Sequence, residues 1–264
     1  MVRRHDPDRY LCALFADAAS REALLALYAL NVEVSMVGGR VSEPLAGRIR
    51  LQWWRDSIDM LAEGEPRRHA VLEALAVRVP DPAKLHRLVD ARELDLEDAP
   101  FADHDALETY VADTSGVLSE LALDLLEVAD GATRDSAGHV ARAWGLVGLL
   151  RAAPFHARAR RMTVPADALR RHAVPPGAYL ELRGGPELGA LARETGELAA
   201  AALELARRPV RYAAAAPVLL PATLARLYLA RLAAVDWNMF DPRVTAPVPH
   251  AVFRLVLARL LRRV

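Results

Sequence analysis

Apolar residues recur at spacings of three and four along nearly the whole chain. Between Asp8 and Val37 they fall at Leu11, Leu14 and Phe15, then at Leu24, Leu27 and Tyr28. That is the rhythm of helices that bury one face. The stretch from Ala18 to Glu22 divides this region into two helices, with Ser20 as the expected N-cap. Gly38-Gly39 is the expected end of the second. Pro44 stands where the first turn of the next helix belongs, and that helix runs through Trp53, Trp54 and Leu61 to Gly64. Further helices are predicted over 67–77, 81–98, 105–127, 135–151, 187–207, 217–235 and 249–263. The Pro175-Pro176-Gly177 and Gly184-Gly185-Pro186 clusters mark loops. No alternating strand pattern bounded by hairpin turns interrupts the series, and there is neither an internal repeat nor a low-complexity tail. The prediction is an all-α fold: one helical bundle, a single domain over residues 1–264.

Composition narrows the picture only a little. About half of the 264 residues are apolar, 53%, enough for a sizeable core. The 34 basic and 34 acidic side chains cancel, so nothing in the charge balance favours nucleic acid as a partner. Cys12 is the only cysteine, which excludes an intramolecular disulfide and a cysteine metal cluster and reads as a buried, inert thiol. The N-terminal residues lack the apolar core and cleavage site of a secretory signal. No uncharged apolar run reaches membrane-spanning length. The nearest candidate, 212–235, is interrupted by Pro217, Pro221, Arg226 and Arg231 and reads as two buried helices. A cytoplasmic location follows as the expectation.

Residues able to carry chemistry cluster in a few places. Arg151, Arg158, Arg160 and Arg161 can cradle a phosphate or an anionic lipid head group, or form a solvated helix end. His156 has no partner His or Cys at ligand spacing, which favours a structural role. Glu93, Asp95 and Glu97 are acidic neighbours that could hold a metal ion, Glu93 and Glu97 being the better pair on an α-helix because residues two apart diverge; a solvated face is the favoured expectation. Asp113, Glu120 and Asp124 read as surface acids, and Trp53, Trp54 and Trp144 as packing residues. In the last helix Val252, Phe253, Val256, Leu257, Leu260 and Leu261 share one side and Arg254, Arg259, Arg262 and Arg263 add charge. Such a helix caps a core or lies in a membrane interface; capping is the favoured expectation.

Several of these segments, in their order and spacing, resemble the squalene/phytoene synthase family over almost the full chain. They are Tyr28-Ala29-Leu30; Leu51-Gln52-Trp53-Trp54-Arg55-Asp56 with Gly64; Glu93-Leu94-Asp95-Leu96-Glu97; Tyr110 with Ser115-Gly116; and Trp144-Gly145-Leu146 through Pro165 and Asp167. The resemblance implies the isoprenoid-synthase bundle around a central cavity. Enzymes of that family hold an allylic diphosphate through Mg²⁺, a hard cation that takes carboxylate and phosphate oxygens. Two carboxylates four apart on one helix face the same way and can share the ion.

Both acidic motifs depart from the family pattern. The first falls around Ser35-Met36-Val37-Gly38-Gly39, with no carboxylate and only Glu33 nearby. In the second the aspartate positions are Ala152 and His156; alanine cannot ligate Mg²⁺ and imidazole does so poorly. Arg151, His156, Arg158, Arg161, Tyr28 and Tyr110 are the candidates to line the cavity or hold an anion. Glu33, Glu93, Asp95 and Glu97 are candidate substitute acids, and no metal site is expected. Asn31-Val32-Glu33-Val34, Val41-Ser42-Glu43-Pro44, Gly47 and Leu149 through Ala157 resemble a subgroup related to the family's mitochondrial complex I assembly factor. Leu220-Pro221 and Asn238 through Pro242 do so too. That resemblance implies a non-catalytic protein that needs no cofactor, works with complex I subunits or assembly proteins and acts at the inner membrane surface. Two alternatives stand beside it. One is an active prenyl-diphosphate transferase using Mg²⁺ and substitute ligands. The other is a carrier of isoprenoid or other lipid.

Overall fold

The computed structural model describes residues 1–41, 43–207 and 212–261; Ser42 and the final Arg262, Arg263 and Val264, part of the motif and helix expected above, lie outside the described residues. The principal helices are α1 (Pro7–Ala13), α2 (Ala18–Ser35), α3 (Pro44–Ala62), α4 (Pro82–Asp90), α5 (His104–Val111), α6 (Val117–Leu125), α7 (Gly131–Arg158), α8 (Pro186–Leu205), α9 (Tyr212–Leu219), α10 (Pro221–Ala233) and α11 (Ala251–Leu261). Shorter helical turns join them. Among the described residues the sole β-pairing is an isolated bridge between Phe101 and Pro165. The all-α prediction therefore holds.

Local chemistry sets the boundaries. Asp17, not Ser20, caps α2: its carboxylate accepts the Ser20 N–H at 3.0 Å, which makes Ser20 the third helical residue. Gly38-Gly39 does not end α2. The helix stops at Ser35, and the glycines sit in a separate turn, Val37–Arg40. A Cβ on Gly38 would lie 2.5 Å from the Asp95 carbonyl oxygen, so only glycine lets this turn lie against the Asp95 backbone. Pro44 opens α3 as predicted, and Gly64, at φ +85°, closes it. The predicted 81–98 helix is instead α4 followed by a 3₁₀ segment, Ala91–Leu96. The predicted 105–127 helix is broken by a π-turn, Ala112–Gly116, between α5 and α6. At the predicted stop near Arg151, α7 runs on to Arg158 straight through Pro154.

α7 is the central post, 28 residues long. It packs on α8, α9, α10 and the π-turn. Gly145 permits the last contact: a Cβ there would stand 2.7 Å from Val111 Cγ1 and 3.1 Å from the Ser115 Cβ. Trp54, Tyr228 and a large set of leucines form the main core, while Tyr179 anchors a second cluster beneath the 160–191 region. Cys12 is fully enclosed, and burial together with nearby Asp8 raises its thiol pKa, as expected of an inert thiol. The 213–233 run is long and apolar enough to span a bilayer by length and composition, but most of it is buried inside the bundle.

α11 differs from expectation. Only Leu255 and Ala258 are buried against the body, while Val252, Phe253, Val256, Leu257, Leu260 and Leu261 are exposed. The helix does not cap the core with its apolar side. Leu255 and Ala258, with Ala251 packed beside them against the core, anchor it on the side opposite the stripe.

Candidate functional site

α2, the 3₁₀ segment, α5, the π-turn and α7 line an open cavity of about 270 Å³. Each contributes residues for a local reason. The 3₁₀ segment repeats every three residues, so Arg92 and Asp95 fall on one face and both turn inward. The π-turn holds an extra residue in its loop and brings Thr114 and Ser115 onto the wall, both buried. α2 supplies Asn31 and Ser35; α7 supplies Trp144, Gly145, Gly148, Leu149 and His156. Arg9 closes one side, with its guanidinium near the rings of Tyr28 and Trp144 and 2.9 Å from Asp6.

The chemistry of the cavity is an ion-pair network around one carboxylate. Asp95 is buried and accepts from Tyr110 Oη at 2.8 Å, from Arg161 Nη2 at 2.5 Å and from Arg92 Nη1 at 3.4 Å. Arg92 also donates to Tyr110 Oη at 2.8 Å and to Asn31 Oδ1 at 3.1 Å. Burial works against the Arg92 charge, but Tyr110 and Asp95 more than offset it and hold its pKa above the ordinary value. Tyr110 is pushed up by burial and stays a neutral phenol. Arg161 Nη1 lies 3.4 Å from His156 Nδ1. A guanidinium can only donate, so Nδ1 accepts and the ring proton sits on Nε2. Burial and the Arg161 charge drop the His156 pKa to about 4.

The residues singled out in the sequence are distributed unequally. His156, Arg161, Tyr110 and Asp95 meet in this network. Tyr28 lines a narrow adjoining pocket with Arg9 and Trp144. Arg151 is engaged elsewhere: it donates to Asp8 at 3.1 Å and lies 3.4 Å over the Tyr228 ring, whose hydroxyl binds the same carboxylate at 2.9 Å. Arg158 is exposed and donates to the Pro154 carbonyl. Glu33 is buried but paired with Arg40 at 3.1 Å. The preference for Glu93 with Glu97 is corrected by the 3₁₀ geometry. Glu93 points outward to Arg55 at 2.6 Å, and Glu97 lies past the segment in extended backbone. Asp113 and Asp124 are surface partners of Arg87 and Lys84. Arg92, Arg9 and Asn31 were missed, although the three-residue spacing of Arg92 to Asp95 was a readable signal for the first.

The network does not suit Mg²⁺. Its one carboxylate is already held by two guanidiniums and a phenol, and Ser35, Ala152 and His156 stand at the motif positions. Among the described residues no group of three or more His, Cys, Asp or Glu is arranged to hold a metal.

A helical bundle with a cavity walled by these segments defines the class. The squalene/phytoene synthase profile matches residues 2–250, and the chain belongs to that family. Its fold is similar to that of a dehydrosqualene synthase (TM-score 0.83, 15% identity, 99% of this chain and 93% of that one). It is similar also to squalene synthase HpnC of Alicyclobacillus acidocaldarius (TM-score 0.78, 16% identity, 90% and 92%). In sequence the chain is similar to NADH dehydrogenase (ubiquinone) complex I assembly factor 6 of Bos taurus, 31% identical over 251 residues covering 92% of this chain and 74% of that one. The Homo sapiens assembly factor 6 is 30% identical over 251 residues with the same coverage.

Proposed function

We propose that this protein is a non-catalytic member of its family that assists assembly of respiratory complex I, working with complex I subunits or assembly proteins and without a cofactor. The observation that carries the non-catalytic part is the state of Asp95. A metal-binding carboxylate must keep oxygen lone pairs free for the ion. Asp95 directs its oxygens to Arg92, Arg161 and Tyr110 instead. Among the described residues no second acid lines the cavity, so none of them pairs with Asp95 to clamp a diphosphate. The assembly role rests on similarity to the assembly factors.

Two experiments test the two halves separately. Purified protein incubated with farnesyl or geranylgeranyl diphosphate and Mg²⁺ is expected to release no coupled hydrocarbon; product formation overturns the non-catalytic reading. Cells lacking the protein are expected to lose assembled complex I on native gels, with recovery on re-expression. Unchanged complex I levels overturn the assembly reading.

A further inference from the structure

α11 is two-sided in an unusual sense. At about 100° per residue, Val252, Phe253, Val256, Leu257, Leu260 and Leu261 cover one half of its circumference, and each is 40–74% exposed. Leu255 and Ala258 fill the opposite side and are buried against α10 and its surroundings. Arg254 and Arg259 lie on the two margins between these sides, one on each. No Asp or Glu occurs between Pro242 and Val264, where the charged side chains are all arginines, Arg262 and Arg263 included. The segment leading into α11 is fixed from below, because Arg231 donates to the carbonyls of Arg243 (3.0 Å), Ala246 and Pro247 (3.3 Å).

We propose that α11 is an interfacial membrane helix that seats the protein on an anionic lipid surface. An apolar stripe of this extent is uncommon on a monomer surface. The margins decide between occupants. A protein partner covering the stripe has no need of a basic border on both sides. A bilayer does: the apolar half enters the acyl boundary while flanking arginines reach sideways to lipid phosphates. The absence of acids removes any repulsion from those phosphates. The inference does not depend on the assembly reading, and its test contains no complex I component.

The test is flotation of the full-length protein with vesicles of phosphatidylcholine alone or mixed with phosphatidylglycerol. The wild type is expected to float with the anionic vesicles and much less with the neutral ones. The double variant Phe253→Asp with Leu260→Asp should lose about tenfold or more in apparent partitioning. Both side chains are exposed, so its unfolding temperature should match the wild type. Arg254→Gln with Arg259→Gln should weaken binding and flatten its dependence on lipid charge. Val77→Asp, at an exposed apolar residue elsewhere, should change nothing. A wild type that fails to float, or a Phe253/Leu260 variant that floats equally, overturns the proposal. So does a concentration-dependent dimer abolished by that variant without vesicle binding, which assigns the face to a second copy.

Discussion

Replacing Asp95 by Asn tests the electrostatic reading of the cavity. Asp95 neutralises Arg161 at 2.5 Å and Arg92 at 3.4 Å, and all three side chains are nearly enclosed. Removing the charge while keeping the shape leaves two guanidiniums in a low-dielectric site without a counter-ion. Deleting one partner of a buried ion pair costs about 3–5 kcal/mol. Asn retains one acceptor for Tyr110, so the lower end applies. At roughly 2–4 °C per kcal/mol for a chain of this size, about 3 kcal/mol lowers Tm by about 6–12 °C. The assay is thermal unfolding by circular dichroism at pH 7.5 without metal. The sign discriminates between readings. If Asp95 were a carboxylate held ready for Mg²⁺, it would be an uncompensated buried charge in the metal-free protein, and Asn would raise Tm. A variant whose Tm is unchanged or higher therefore refutes the ion-pair account. Adding Arg161→Met to Asp95→Asn should restore part of the loss, because the second change removes one of the orphaned charges.

Further predictions follow from other parts of the site. His156 has a folded-state pKa near 4 against an ordinary value near 6.5. The unfolded chain takes up the proton first, so this residue's contribution is intact above about pH 6.5 and is lost as pH falls toward 4. At pH 5 the loss is about 2 kcal/mol. The fall in Tm between pH 7 and pH 5 should accordingly be smaller in His156→Gln than in the wild type; equal falls contradict the assignment. Gly145→Ala should destabilise by about 1–3 kcal/mol, because its Cβ has no room beside Val111. Gly148→Ala, on the same helix with nothing near its Cβ, should stabilise by about 0.5–1 kcal/mol, and urea unfolding of the pair reads both signs.

The fold was legible because helical periodicity and end signals such as Pro44 and Gly64 are local. The departures from expectation arise where tertiary contact overrides a local rule. Pro154 should end a helix, since it cannot donate to Leu150, but its side chain is buried in a packed post that continues regardless. The π-turn at 112–116 and the 3₁₀ segment at 91–96 are invisible to a 3.6-residue reading, and they are what aim Thr114, Arg92 and Asp95 inward. The misjudged Glu93/Glu97 pair came from applying α-helical spacing to a 3₁₀ segment. For α11 the periodicity was read correctly, but periodicity alone cannot say which side of a helix meets the body. The small Ala258 and the single Leu255 were the anchor, not the longer apolar stripe.

The loss of both acidic motifs and the state of Asp95 are one electrostatic fact. A cavity built to receive Mg²⁺ and diphosphate balances guanidiniums against phosphate and acids against metal. With serine, alanine and histidine at the motif positions, no metal charge remains to be met, while Arg92 and Arg161 are still there. One carboxylate serves both, and the Nε atoms of Arg92 and Arg161 are buried without an acceptor. The site is therefore short of acceptors rather than of cations. On the proposed reading, the network of Asn31, Arg92, Asp95, Tyr110, Arg161 and His156 ties α2, α5, α7 and the 3₁₀ segment together.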